Sequence, residues 1–200
     1  MTYSEMKQTV NLLANEWNLG KKECGATTNI CSWICLFELL EESDVIIKHK
    51  DGNKLIGICG YSKNNSKKHL FKKKLYSVIK YFLYKSKDIK DINALKEYYN
   101  NYSYLPKELE NYFDGEISIL IINPQYRGKG IGKKLLFEAF NLAKKDNIKN
   151  LQITTDEACN YKFYESCGCE KIYETTVKNL EYEKLGDTLN QLAFVYEKIL

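Results

Sequence analysis

Apolar residues recur every three or four positions in two stretches near the start of the chain, which is the spacing of one buried helix face. Two strand-like stretches follow, joined by Asp51-Gly52-Asn53, a strong signal for a hairpin turn. The pattern therefore predicts helices over 4–17, with Ser4 as a cap, and about 29–42, then strands over 44–50 and 54–62.

A denser apolar pattern begins at Glu116. Residues 116–122 form a nearly continuous apolar run, typical of a strand covered on both faces, and Asn123-Pro124 ends it. The following periodicities predict helices over 128–145 and 157–166 and strands over 150–154, 169–177 and 192–198. Strands that alternate with helices in this way predict an α/β fold with a mixed sheet.

Residues 63–113 differ in composition from the rest of the chain. They contain 12 lysines against 5 acidic residues, and eight of the sixteen tyrosines. One helical stretch contains Lys72-Lys73-Lys74, and its predicted apolar face consists of Phe71, Leu75, Val78, Ile79 and Phe82. Because so many aromatic residues need covering, we interpret the segment as a helical insertion that packs on the core rather than as a linker.

Composition excludes several classes of protein. With 200 residues, 44% hydrophobic and 28% charged, the chain is neither disordered nor collagen-like, and 1–200 fits one domain. The net charge of only +4 does not by itself imply strong nucleic-acid binding, so no nucleic-acid partner is expected, and no stretch is apolar enough for a membrane span. The seven cysteines include no CxxC pair and follow no secretory signal, so we expect reduced thiols, a cytoplasmic protein and no metal site.

The most informative segment runs from Ile121 to Gly132. A buried strand is followed by a tight turn and by Gly128, Gly130 and Gly132, three of only eleven glycines. Unpaired backbone N–H groups at a helix start attract anions, and glycines allow a phosphate to approach. Arg127 is the only arginine among thirty basic residues. The spacing matches neither GxxxxGK[ST] nor GxGxxG, so from these residues alone it is a phosphate site or an ordinary glycine-rich turn.

Two ordered motifs carry a resemblance to a known family. Gln125-x-x-Gly128-x-Gly130, with Asn-Pro before it and Ile131-Gly132-Lys133-Lys134-Leu135-Leu136 after it, resembles the acetyl-CoA signature of the GNAT N-acetyltransferase superfamily. Phe163-Tyr164-Glu165-Ser166-Cys167-Gly168-Cys169 resembles that family's second motif. The resemblance covers about residues 114–177. The chain departs from the family in its missing or very short opening strand, in Glu157 where Asn is frequent, and in Cys169 where Phe is common.

The resemblance implies a GNAT-like central twisted sheet flanked by helices, with 63–113 inserted between the third and fourth strands. It implies acetyl-CoA as co-substrate and no metal. The pantetheine arm would pair with one strand end, and the pyrophosphate would meet the amides from Arg127 to Gly132. The implied cofactor-binding residues are Ile121, Ile122, Asn123, Gln125, Arg127, Gly128, Lys129, Gly130, Ile131, Gly132, Lys133 and Asn160.

In that family an amine attacks the thioester directly, so a base and an acid are needed. By resemblance, Tyr164 is the acid that protonates the departing thiolate, and Glu116 is the base, directly or through water. The two histidines, His49 and His69, lie among lysines and have no assigned role.

These observations predict an acetyl-CoA-dependent N-acetyltransferase acting on a primary amine of a small molecule or peptide, as a monomer or homodimer. One alternative is a CoA-binding regulatory module without catalysis. Another is a membrane-surface or nucleic-acid role for the lysine-rich helix, which we disfavour because its apolar face is expected to dock on the core. The positive insertion favours a mono-amine or a carboxylate-bearing acceptor over a polycation.

Overall fold

The structure, a computed structural model, describes residues 1–17, 28–87, 89, 105–109, 111–178 and 190–200. The helices of these residues are α1 (Tyr3–Trp17), α2 (Thr28–Glu42), α3 (Leu70–Tyr84), α4 (Ile131–Lys145) and α5 (Lys162–Ser166). The strands are β1 (Val45–Asp51), β2 (Lys54–Lys63), β3 (Gly115–Ile122), β4 (Asn150–Asp156), β5 (Glu170–Lys178) and β6 (Asn190–Ile199).

The six strands form one mixed sheet, in the order β1-β2-β3-β4-β6-β5. Neighbouring strands are antiparallel except β3 and β4, which run parallel. The predicted mixed α/β sheet is therefore confirmed.

Each face of the sheet buries its own core. Ile119 and Ile121 of β3 pack under α1 and α2, whereas Leu120 and Ile122 lie against the core on the opposite face. This two-sided burial explains the continuous apolar run of β3. The opposite face is covered by α4, through Leu135, Leu136, Ala139, Phe140 and Ala143.

Two helices are shorter than the periodicity predicts. Helix α4 begins at Ile131 rather than at residue 128, because Gly128 and Gly130 have φ of +75° and +74°, in the left-handed region. Helix α5 is only five residues long, because turns occupy the residues that follow β4.

The described part of the insertion contains α3, which packs against α2. Of the five residues predicted to form its docking face, only Ile79 packs on the core; the other four are exposed, so that prediction is wrong. No strand precedes α1 in the first seventeen residues, so among the described strands the insertion joins the second to the third. The predicted tyrosine-rich part over 90–104, with Tyr98, Tyr99, Tyr102 and Tyr104, lies outside the described residues.

Of the six cysteines within the described ranges, five are buried and Cys159 is exposed. Cys24 lies outside these ranges. Among the helices described, none has the length and apolarity needed to cross a bilayer.

Candidate functional site

Strands β3 and β4 diverge and leave a wedge between them. They are parallel partners at only two positions, Gly115 with Leu151 and Glu116 with Gln152. Beyond Glu116 the facing edges of the two strands are no longer paired with each other. The wedge opens toward the carboxyl ends of the strands, which is where ligands bind in open α/β sheets.

Backbone polar groups of β3 face this wedge. The Asn123 N–H donates to the Ile56 carbonyl of β2 at 2.8 Å, which marks a hydrogen-bonded antiparallel pair. Because such pairs alternate along the ladder, the backbone of Ile121 also points toward β2, while the groups of Ile122 and Leu120 point toward the wedge. Of the three residues expected to pair with a pantetheine arm, Ile122 is therefore the one whose backbone is available there.

The turn that follows β3 is held open by local hydrogen bonds. The Asn123 side chain accepts from the Gln125 N–H at 3.1 Å and starts a short 3-10 turn, Pro124–Tyr126. At Gly128 and Gly130 an added Cβ would meet no heavy atom within 4 Å, so both positions border open space. This space lies at the start of α4.

Six consecutive backbone amides point out of this turn without an acceptor. Within the described ranges, the N–H groups of residues 128–133 have no backbone acceptor; the first bond of the helix start runs from Lys134 to the Gly130 carbonyl. The Arg127 amide is not among them, because it donates to the Pro124 carbonyl at 3.1 Å. The run of amides without a backbone acceptor thus begins after Arg127, where the predicted run begins, and extends to Lys133. A negatively charged group with several oxygens fits this cradle.

Cationic side chains surround the cradle. The Arg127 guanidinium forms an ion pair with Glu16 of α1, so in this structure the arginine lies against α1. Lys129 and Lys54 both lie over the Tyr126 ring, at 5.1 and 4.9 Å from its centroid. Lys133 lies over the Phe137 ring at 5.6 Å from its centroid.

Helix α5 places the second motif at the mouth of the wedge. A Cβ on Gly132 would lie 3.6 Å from both Ile122 and the Phe163 ring, so the start of α4, the end of β3 and α5 meet there. Tyr164, next to Phe163, is partly buried against the Tyr196 ring at a centroid distance of 5.8 Å. Burial raises the pKa of the Tyr164 hydroxyl above its usual range, so it keeps its proton across neutral and mildly alkaline pH.

Asn160 lies on the turn between β4 and α5. Its side chain is exposed, and its carbonyl accepts from the Phe163 N–H at 3.1 Å. Glu157 is bonded in both directions to Leu192 of β6, so it secures the turn to the sheet.

Glu116 lies at the point where β3 and β4 separate. Its carboxylate accepts from the Ser62 hydroxyl at 3.4 Å. Gly60 pairs with Ile119 and Tyr61 with Ile117, so Ser118 is an extra residue, a β-bulge that locally changes which face each side chain occupies. The Ser118 hydroxyl lies 2.6 Å from the hydroxyl of Ser43, which anchors the end of α2 beside the bulge.

The end of α2 brings a second carboxylate toward Glu116. Desolvation at the end of α2, reinforced by the charges of Glu116 and Glu38, raises the pKa of Glu42 to about 7, while the residue as a whole remains exposed to solvent. Burial also raises the pKa of Glu116, and the Ser62 hydrogen bond only partly opposes this. The pKa of both carboxyls is therefore raised above the usual range, and the charge of Glu116 contributes to the shift of Glu42.

The structure adds Glu42, Lys54 and Glu16 to the residues singled out from the sequence. Each comes from an element far from the two motifs, and no local pattern marks it. Glu116 lies near the start of β3, and the glycine turn follows the end of the same strand. Tyr164, on α5, adds a phenol at the mouth of the wedge. Within the described part of the chain, no three His, Cys, Asp or Glu side chains are grouped so as to hold a metal ion.

Comparisons with known proteins agree with this geometry. Residues 94–169 match the acetyltransferase (GNAT) family. Arylalkylamine N-acetyltransferase 2 from Aedes aegypti is similar over 100% of this chain and 96% of its own, with a TM-score of 0.59 and 16% identity. Ribosomal-protein-alanine N-acetyltransferase from Brucella melitensis is similar over 100% and 97%, with a TM-score of 0.57 and 12% identity.

A third solved structure, an aminoglycoside 6'-N-acetyltransferase complexed with coenzyme A, is similar over 99% of this chain and 92% of its own, at a TM-score of 0.57 and 12% identity. At these identities the likeness concerns the fold. No curated protein sequence matches the chain.

Proposed function

Because this chain has the fold of the GNAT acetyltransferases and carries their family signature over residues 94–169, we propose that it transfers an acetyl group from acetyl-CoA to a primary amine of a small molecule or peptide. The observation that carries the proposal is the run of unpaired amides at 128–133 beside the wedge between β3 and β4. These amides suit a pyrophosphate, and the unpaired edge of β3 suits an extended arm with amide groups of its own.

Several residues fit the co-substrate. Gly128 and Gly130 leave the approach to the amides open, since neither has a side chain that would occupy it. Lys129 and Lys54 provide positive charge beside the same turn. To contact the phosphates in this proposal, the Arg127 guanidinium either uses the N–H groups that Glu16 does not accept from, or breaks its ion pair with Glu16.

We assign the proton transfers to Glu116 and Tyr164. The acceptor ammonium loses a proton to Glu116, directly or through water, and the neutral amine nitrogen attacks the thioester carbonyl carbon. The carbon–sulfur bond breaks, and the Tyr164 hydroxyl protonates the departing thiolate. The second proton, lost by the nitrogen as the amide forms, restores the Tyr164 hydroxyl directly or through water. Burial raises the pKa of Tyr164, so the hydroxyl is protonated at neutral pH and can donate a hydrogen bond to the developing thiolate.

The charges near Glu116 favour a cationic acceptor. The lysines of α3 that face α2 are paired with carboxylates: Lys73 with Asp44, and Lys80 with Glu38 and Glu41. Their positive charge is thus balanced locally, and Glu42 adds acidity beside Glu116. We therefore propose an acceptor that carries positive charge rather than a carboxylate, because the lysines of α3 on this side of the wedge are neutralised by their ion pairs.

The test is a panel of primary amines with acetyl-CoA, in which free thiol is measured as it is released. The panel contains mono-amines, diamines, amino acids and peptides with free N-termini. We expect at least one amine to raise thiol release well above the rate without acceptor, with cationic acceptors preferred. Binding of acetyl-CoA with no turnover on any amine would favour the alternative, a CoA-binding regulatory module.

A further inference from the structure

Helix α3 exposes an apolar stripe. Phe71, Leu75, Val78 and Phe82 are 83%, 48%, 51% and 66% exposed. Their spacing of four, three and four residues places all four on one line along the helix. Four large apolar side chains on one exposed face form a patch of the kind that marks an interaction surface.

The stripe is not the face that attaches α3 to the protein. The attached face carries Tyr76, whose ring lies 5.8 Å from that of Phe37 on α2, together with Ile79, Leu83 and Tyr84. Hydrogen bonds from Ser77 to Glu41 and from Tyr84 to Glu38 reinforce this attachment. Since the helix is held from one side, the stripe on the other side is free to meet something else.

Lysines border the stripe on both sides. At about 100° per residue, Lys72 and Lys74 project to either side of the line through Phe71. Both are exposed, and neither has an ion pair within the described part of the chain. Residues 63–87 contain nine lysines and no acidic residue. Three of the nine are paired with carboxylates of the protein body: Lys68 with Asp146, Lys73 with Asp44, and Lys80 with Glu38 and Glu41.

We propose that α3 binds the surface of an anionic lipid bilayer, lying in its plane. The stripe enters the boundary between headgroups and acyl chains, and Lys72 and Lys74 meet lipid phosphates on either side. A short helix with aromatic residues on one face, flanked by lysines, has the pattern of such interfacial helices. The attached face keeps the rest of the protein above the surface.

Charge and polarity argue against the other occupants. A nucleic acid would attract the lysines but offers no apolar partner for Phe71 and Phe82. A second copy docked on the same face with its helix parallel would bring Lys72 and Lys74 of both copies together, and like charges would repel; an antiparallel copy is distinguished by the dimer outcome of the experiment below. Residues 90–104, which follow α3 in the chain, contain as many basic as acidic residues. They therefore carry no net negative charge that would attract the flanking lysines.

The experiment is co-sedimentation of the full chain with vesicles of phosphatidylcholine containing about 30% phosphatidylserine, compared with vesicles of phosphatidylcholine alone. We expect binding to the anionic vesicles that weakens as salt is raised. Lys72→Gln with Lys74→Gln should weaken it at least about tenfold. The matched control, Lys144→Gln with Lys145→Gln, changes the net charge equally on two exposed residues of α4 and should leave binding within about twofold.

A second pair, Phe71→Ser with Phe82→Ser, tests the stripe and should also abolish vesicle binding. Both positions are exposed, so the melting temperature should stay within about 2 °C. Absence of binding to anionic vesicles overturns the proposal. Vesicle binding that is unchanged in the phenylalanine variant also overturns the proposal, because the lysines would then bind the anionic surface without the stripe. A wild-type dimer that the same pair converts to a monomer without affecting vesicle binding assigns the stripe to a second copy and also overturns it.

Discussion

Replacing Gly130 with Asp tests the anion cradle directly. Gly130 has φ of +74°, and a Cβ there meets nothing within 4 Å, so the new carboxylate would occupy the space beside the free amides. Asp is one of the few residues that adopt this backbone conformation at modest cost, about 1 kcal/mol. The matched control is Gly52→Asp in the β1–β2 hairpin, where φ is +55° and the Cβ position is equally open.

The magnitude follows from Coulomb's law. A carboxylate about 6 Å from one phosphate charge, at an effective dielectric constant of about 20, costs about 3 kcal/mol, or about 100-fold in affinity. At a CoA concentration of 100 times the wild-type dissociation constant, bound ligand stabilises the wild type by about 2.7 kcal/mol. The same concentration stabilises the Gly130 variant by only about 0.4 kcal/mol.

Thermal unfolding with and without CoA measures both effects. For a domain of this size, about 1 kcal/mol shifts Tm by about 2–4 °C, so we expect a ligand-induced rise of about 5–10 °C in the wild type. The rise should shrink to about 1–2 °C in Gly130→Asp and remain complete in Gly52→Asp. Both variants should melt a few degrees lower without ligand, because they share the backbone strain. If folded Gly130→Asp keeps the full rise, the assignment of the phosphate site is refuted.

Three further changes probe the rest of the site. Tyr164→Phe should lower turnover by about 100-fold with little change in Tm, whereas an unchanged rate at all pH values would exclude the phenol as the acid. Glu116→Gln removes the carboxylate proposed as the base, so kcat/KM should fall most at the acid end of the pH profile, where most of the acceptor is protonated; an unchanged profile would remove Glu116 from the proton transfers. Glu16→Gln releases Arg127 from its ion pair and should tighten CoA binding by up to about fivefold in calorimetry, and weaker binding would mean that the pair itself orients the arginine.

The sequence predicts those parts of the fold whose signal comes from residues that are close together in the chain. The apolar run of β3, the Asp51-Gly52 hairpin and the periodicity of α4 each depend on residues close together in the chain; all three elements form, and β3 and the hairpin do so where expected. The start of α4 was predicted three residues too early, because the glycine spacing does not reveal that Gly128 and Gly130 adopt positive φ. That error matters, since the residues outside the helix are the ones that open the cradle.

Helix α3 shows where periodicity fails. Its sequence has apolar residues on two sides, Tyr76, Ile79 and Leu83 on one and Phe71 and Phe82 on the other. A periodic pattern shows that a face is apolar but not whether protein covers it. The exposed line was predicted to dock, whereas the attached face is selected by contacts with α2, including ion pairs that are distant in the chain.

The acid–base part of the site depends on distant contacts in the same way. The sequence places Glu116 at the start of a strand, which alone suggests an exposed carboxylate with an ordinary pKa. Its actual surroundings depend on the bulge at Ser118, on the Ser43 hydroxyl that anchors α2 beside it, and on Glu42 one residue earlier. Because burial raises the pKa of the proposed base, substitutions at the end of α2 that change this packing should alter the pH profile without touching either motif. In the proposed mechanism the two motifs bind the co-substrate, while the packing around Glu116 comes from the first half of the chain, where no motif marks it.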